Sequence, residues 1–332
     1  MSTFRLRAFL LILNMASLLA VSGCTSMKVK MGWKVYLDKT PITSLAVTLP
    51  QGPAIAPGEK SPLVVVFTQP DGKVLQTEGK GGGKVMWKDL TVAASVVAVN
   101  QKGIVSLPKD PRVSDGKVGH VAITVPSHPE LHADLDIPLR YDLKYVANFS
   151  GSNGSDGMNG SDGTDGTSGS TGSLDPNNPS AGGNGTDGGD GGNGQDGGDG
   201  QDAPPVQIRI ALKSESHPLL QVSVSAAGHQ KFYLVDTHGG SLTVNADGGA
   251  VGQGGRGGRG GRGGSGGSGT PNGNSGRDGS SGRNGFDGHA GKGGTITVTY
   301  DPQVKAYLTL IHLSDSGGPR PVFNEEAVAP LW

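Results

Sequence analysis

The 332 residues include 59 glycines, 34% hydrophobic residues and only 5% aromatics, with glycine at more than twice the roughly 7% of ordinary proteins. A formal charge of −1 excludes a strongly basic nucleic-acid-binding protein at whole-chain level, and the single cysteine excludes an intramolecular disulfide. Residues 151–202 hold 19 of the glycines and residues 248–294 hold 23, which fits neither one uniform globular enzyme nor one continuous collagen rod.

The first 23 residues have the layout of a signal peptide. Arg5 and Arg7 form a basic start, Ala8 to Ala20 is mostly apolar, and Val21-Ser22-Gly23 places small residues at the cut. Cys24 directly after them resembles the lipobox of bacterial lipoproteins. That resemblance implies lipidation at Cys24, which becomes the first residue of the mature chain. It also implies several acyl chains, enough for stable attachment where one chain is marginal. Thr25 rather than aspartate follows, which in Gram-negative members implies the outer membrane. An ordinary signal peptide with an accidental cysteine is the plainer alternative. Without Arg5 and Arg7 the chain carries 26 basic against 29 acidic residues. No apolar run of transmembrane length follows.

Residues 24–29 read as a tether. From 30 to 147, short β-rich runs alternate with turn signals: Trp33–Leu37, Ser44–Thr48, Leu63–Gln69, Thr91–Val99, His120–Val125, Ala133–Leu139 and Leu143–Ala147. Seven short strands separated by turns predict an immunoglobulin-like β-sandwich without the immunoglobulin cysteines. A second β set covers 203–247 and 295–332, with Val206–Leu212, Leu220–Val224, Lys231–Val235, Leu242–Asn245, Thr295–Tyr300 and Tyr307–Leu313. The fold class is mainly β, with glycine-rich stretches 148–202 and 248–294 held between strands at both ends.

Within those stretches glycine recurs every third residue, from Gly151 to Gly172, from Gly182 to Asp202, from Gly254 to Ser268 and from Gly273 to Gly294. Asp175 to Ser180 and Thr270-Pro271-Asn272 interrupt the period, so each stretch reads as an out-and-back pair with a turn at its tip. Collagen has this period but needs three chains and abundant proline, and proline is almost missing here. The other ordered form is a bundle of left-handed extended helices with three residues per turn, polyglycine II. A flexible polar loop is the disordered alternative. Ordering costs roughly 1–2 kcal/mol per residue and a net hydrogen bond returns about 0.5–1.5, so packing of several arms must decide the balance. Two glycines per turn leave two bare edges, which places Gly254–Ser268 centrally. At about 3.1 Å per residue the arm 182–202 would extend ~65 Å.

The first stretch contains nine aspartates and no Lys or Arg, whereas the second contains Arg256, Arg259, Arg262, Arg277, Arg283 and Lys292 against Asp278 and Asp287. The expectation is a four-arm bundle in which acidic and basic hairpins lie side by side, with exposed charge pairs setting register more than stability. Reversing the three consecutive arginines to Asp is then expected to loosen the bundle.

Glycine-rich arms projecting from strands, with the join Gly291-Lys292-Gly293-Gly294-Thr295-Ile296-Thr297-Val298, resemble the N-terminal glycine-rich fold of the Obg GTPases over about residues 145–300. Secreted bacterial collagen-like proteins share the triplets. The GTPase half is missing. The nearest P-loop lookalike, Gly52 with Gly58-Glu59-Lys60-Ser61, has Glu59 between Gly and Lys and breaks the required spacing.

His128, Glu130, His132, Asp134 and Asp136 share one parity and could line a strand face as metal ligands, but a solvated face is the simpler reading. The aspartate rows lack the EF-hand loop and the calcium nonapeptide. Arg256, Arg259, Arg262, Arg277 and Arg283 imitate RGG segments, yet only Phe286 supplies an aromatic for stacking, so contact with extracellular DNA or an anionic glycan would rest on charge alone. No H-E-x-x-H motif is present, and the plentiful Asp and Ser belong to the turns and triplets. The expectation is a non-enzymatic, lipid-anchored envelope protein without metal or cofactor. It would be structural or adhesive, with the membrane, other envelope proteins or polysaccharide as partners and no intracellular nucleic acid. An anionic-polymer-binding module through the arginines is the alternative.

Overall fold

A computed structural model of the chain describes residues 27–213 and 217–332. The signal segment 1–23, Cys24 and Thr25 lie outside the described residues. No described helix is long and apolar enough to cross a membrane. The chain is mainly β and divides into two compact units. One runs to residue 143 and takes in 232–239 and Trp332; the other comprises 144–231 and 240–331.

The first unit holds nine strands: β1 (Ser44–Thr48), β2 (Lys60–Pro62), β3 (Val64–Thr68), β4 (Val74–Gln76), β5 (Thr91–Ser95), β6 (Ala98–Val99), β7 (Ile104–Ser106), β8 (Gly119–Val125) and β9 (His128–Ile137). They form three antiparallel sheets ordered β1-β3-β4, β2-β7-β6 and β5-β8-β9. Alternating apolar side chains from these strands, among them Val65, Phe67, Val105, Val121, Ile123 and Ile137, meet in one core. Each such side chain stabilises the unit by roughly 1.5–3 kcal/mol on burial.

Three details depart from the sequence expectation. Trp33–Leu37 is not a strand: Trp33 stays 62% exposed, Val35 makes only an isolated bridge to Val85, and a 3₁₀ turn begins at Leu37. Thr91–Val99 is cut in two by Val96 at φ +66°, a left-handed conformation that a β-branched residue adopts only under constraint. The remaining expected runs of this unit are joined by β2, β4 and β7, which are too short for alternation to announce them, and the seventh, Leu143–Ala147, falls in the second unit as β10.

The remaining strands are β10 (Lys144–Asn148), β11 (Val206–Leu212), β12 (Leu219–Ala226), β13 (His229–Asp236), β14 (Ser241–Asn245), β15 (Ile296–Tyr300), β16 (Ile311–Ser314) and β17 (Val322–Glu325), all in the second unit except that β13 belongs to the first from residue 232 on. One sheet is ordered β10-β14-β16 and all parallel; the other is ordered β13-β12-β11-β15-β17, with β11, β15 and β17 parallel. The expected strand Tyr307–Leu313 is mostly a 3₁₀ segment, Pro302–Leu310, started by Asp301, whose carboxylate accepts the Gln303 N–H at 3.0 Å, and by Pro302 at its first position.

The glycine stretches form four extended arms: arm 1 (151–172), arm 2 (182–202), arm 3 (248–268) and arm 4 (273–291). None has regular strand or helix hydrogen bonding of its own, and away from their ends the main-chain bonds run between arms in steps of three residues. Arm 1 donates to arm 3, from Gly151 N–H to the Asp247 carbonyl up to Gly172 to Ser268; arm 2 donates to arm 1, arm 3 to arm 2, arm 4 to arm 3, and arm 2 also to arm 4. Arms 1 and 3 therefore run parallel, arms 2 and 4 run back, and no described main-chain bond joins arm 1 to arm 4. Arms 2 and 3 each have three neighbours. Gly249, Gly252, Gly255, Gly258, Gly261, Gly264 and Gly267 of arm 3 are buried, which agrees with the central place expected from two glycines per turn.

The arms inherit their register from the sheets. β10 and β14 pair with an offset of 97, Asn148 opposite Asn245, and arms 1 and 3 continue it, as in the Asn153–Ala250 contact. β11 and β15 pair with an offset of 90, Val206 opposite Ile296, the offset between Asn184 of arm 2 and Asn274 of arm 4. Parallel strand pairs at the base thus clamp parallel arm pairs above them.

Candidate functional site

With three residues per turn, the N–H groups of an arm point in three directions, and each needs a partner or water. In arm 3, Gly258 donates to the Gly192 carbonyl of arm 2, Gly257 donates to Asn284 Oδ1 at 2.9 Å, and Arg259 donates to Asp162 Oδ1 at 2.8 Å. The same accounting repeats along the arm. Arg256 and Arg262 donate their main-chain N–H to Asn159 and Asp165, each at 2.8 Å. On arm 4 and just beyond it the pattern recurs against arm 2: Arg277 to Asp187 at 2.7 Å, Arg283 to Asn193 at 2.9 Å, Phe286 to Asp196 at 2.8 Å and, past the arm's end, Lys292 to Asp202 at 2.6 Å.

These contacts correct the expected charge pairing. Acidic and basic arms do lie side by side in matched register, but the aspartates meet the arginines through the main chain. Among the described residues no arm arginine forms an ion pair with an arm aspartate; the one cross-arm pair is His289 with Asp199 at 3.1 Å. The physical reason is reach. An aspartate or asparagine oxygen lies just far enough from its own backbone to meet the neighbouring N–H, while an arginine side chain of far greater length leaves the surface. Asn153, Asn159, Asn184, Asn193 and Asn284 do the same work as Asp156, Asp162, Asp165, Asp187 and Asp190, so a carbonyl-type oxygen is required and a charge is not. The sequence signal for this cap was the interchange of Asn and Asp at one position of the triplet, which a reading based on charge passed over. Asp199 is held below the usual carboxylate range, first by the His289 main-chain N–H and then by its ring.

The glycines explain why the arms approach so closely. A Cβ on Gly258 would overlap the Ser161 carbonyl, and one on Gly257 the Gly282 carbonyl. Gly192 is different: a Cβ there would meet Ser161 N and Oγ at 3.1 Å, and the same series of arm 2 carries Thr186, Gln195 and Gln201. One edge of arm 2 therefore tolerates side chains.

The arginines Arg256, Arg259, Arg262, Arg277 and Arg283 are exposed. The first three share one outward row of arm 3, and their main-chain N–H groups are capped by arm 1 residues that include Asp162 and Asp165, so the guanidinium row lies next to an acidic row.

The other sequence candidates lie elsewhere. His128, Glu130, His132, Asp134 and Asp136 are on β9, whose pairing with β8 is irregular between Thr124 and Val125, next to Pro129. Glu130, His132, Asp134 and Asp136 are exposed, and the two aspartates face His120 of β8, with Asp136 Oδ1 2.8 Å from Nδ1 and Asp134 Oδ1 3.3 Å from Nε2. His128 Nε2 lies 3.0 Å from the Leu37 carbonyl. At the P-loop lookalike, Glu59 accepts the Ala56 N–H at 2.8 Å and pairs with Arg140, and Lys60–Pro62 is a strand rather than a helix start. A phosphate-binding turn is not formed. Cys24 lies outside the described residues.

The chain matches no known protein-family model, and no curated protein matches it.

Proposed function

We propose that the protein is a lipid-anchored component of the bacterial cell envelope whose work is structural or adhesive. The bundle would present a stiff, polar surface outside the membrane, and no catalytic step is assigned to it. The observation that carries this reading is the repeated satisfaction of arm N–H groups, by a neighbouring carbonyl or by an Asn or Asp cap. Such an arrangement is costly to order glycine by glycine and is of use where a long, thin shape must keep its form. The resemblance to the Obg glycine-rich fold covers about residues 145–300 and brings no nucleotide activity with it. The lipobox resemblance at Cys24 supplies the anchor, and Thr25 the outer-membrane address.

The test is expression in a Gram-negative host with labelled palmitate. Label should enter the protein and disappear in Cys24→Ala, with fractionation into the outer membrane. Limited proteolysis of the same material should spare 151–202 and 248–291. Absence of label, or rapid cleavage throughout the arms, overturns the reading.

Binding of an anionic polymer, such as extracellular DNA or a glycan, is the second reading. It is favoured by the exposure of Arg256, Arg259 and Arg262 without ion pairs among the described residues. Against it, Asp162 and Asp165 lie in the adjoining row and lower the local positive potential. Retention on heparin that falls steeply with salt would support it; no retention would remove it.

A further inference from the structure

Three large apolar side chains within seven residues stand in solvent near the start of the first unit: Met27 is 57% exposed, Met31 49% and Trp33 62%. A helical turn over 27–30 sets Met27 and Met31 on one side, with the Met31 N–H donating to the Met27 carbonyl at 3.0 Å. The chain then reverses at Gly32, whose φ is +72°, and the Trp33 N–H donates to the Lys28 carbonyl at 2.9 Å, which brings the Trp33 main chain back to the same short segment. Lys28 and Lys30 are exposed and make no ion pair among the described residues; Lys34 pairs with Glu78 at 2.6 Å. A cavity of about 600 Å³ opens beside the segment, with Lys28, Lys34 and Lys88 around a floor of Met86, Trp87 and Leu90.

We infer that this segment is a membrane-surface contact whose partner is an anionic phospholipid bilayer. Tryptophan and methionine supply apolar area that a bilayer interface accepts, and tryptophan prefers the headgroup level. Lysines lay their stems along such a surface with the ammonium in the headgroups, each worth about fivefold in partitioning near an anionic leaflet. Cys24 lies three residues before Met27, at most ~11 Å of extended chain. The setting therefore rests on the lipid-anchor reading: an acylated Cys24 would hold this patch at the headgroups, where it would fix the orientation of the first unit. The contact itself needs no acyl chain.

The test uses the chain from residue 24 onward with Cys24→Ser, which keeps every described residue and carries no lipid. It should sediment with phosphatidylcholine vesicles containing phosphatidylglycerol, not with phosphatidylcholine alone, and binding should weaken with salt. A quencher in the acyl chains should dim Trp33, and Trp33→Ser should remove most of that effect, because Trp87 is only 5% exposed and Trp332 is half-buried, its indole N–H donating to Asp115 at 2.8 Å. Lys28→Glu with Lys30→Glu, two exposed residues without ion pairs, should lower partitioning by more than about 25-fold. No binding to the anionic vesicles at low salt overturns the inference, and so does binding that survives the double lysine reversal. Palmitate labelling of Cys24 is read separately, so loss of the anchor reading and loss of this contact are distinguishable.

Discussion

Asp162 Oδ1 accepts the main-chain N–H of Arg259 at 2.8 Å, and the guanidinium of Arg259 makes no ion pair among the described residues. Two residues of opposite charge are thus in register for a reason unrelated to their charges. This relationship separates what carboxylates do in the bundle from what their abundance suggests.

If a carbonyl-type oxygen is the requirement, Asp162→Asn should leave thermal stability within about 0.5 kcal/mol. Asp162→Ala should cost about 0.5–1.5 kcal/mol, toward the low end because water can reach the exposed N–H. Calorimetric melts of the two variants decide the matter, and equal losses in both would return the role to charge.

Backbone approach gives a sharper contrast on one shared neighbour, Ser161. Gly258→Ala sets a methyl against the Ser161 carbonyl and should cost about 3 kcal/mol or more. Gly192→Ala meets Ser161 N and Oγ at 3.1 Å, where a small shift suffices, and should cost less than about 1 kcal/mol. The melting temperature should fall by several degrees in the first variant and little in the second.

Removing the arginine row should be structurally silent. Arg256→Ser, Arg259→Ser and Arg262→Ser together extend the serines that occupy the same row at Ser265 and Ser268, so the melt should shift by less than about 1 kcal/mol. Heparin chromatography of the same variant reads the polymer hypothesis separately from the fold. A large loss of stability would restore the side-chain pairing that the sequence suggested.

His120 offers a pH test in the first unit. The Asp136 carboxylate beside its ring, aided by Asp134, raises its pKa above the ordinary imidazole value. A raised folded value means that the favourable contribution is fully present below the unfolded pKa and is lost as pH rises through the folded one. An NMR titration should place the His120 midpoint above about 6.5, and Asp136→Asn should bring it back down. An unchanged midpoint would refute the contact.

Much of this was legible in the residues. Alternation located Ser44–Thr48 and Val206–Leu212 to the residue, because half-buried strands write their period directly into the sequence. It missed Lys60–Pro62 and Ile104–Ser106, which are too short to show a period, and it misread Tyr307–Leu313, where Asp301 and Pro302 start a 3₁₀ segment instead.

The glycine period by itself offered extended arms with three residues per turn beside a flexible loop, and the count of glycines per turn marked arm 3 as central if the arms were ordered. Which arm neighbours which was decided only by tertiary structure. An isolated arm of this kind has no hydrogen bonds within itself, so its sequence cannot name its partners. The offsets of 97 and 90 come from β10 against β14 and β11 against β15, pairings between segments far apart in the chain. Those offsets bring Asp162 to the Arg259 N–H, and so turn a row of acidic residues into a row of main-chain caps.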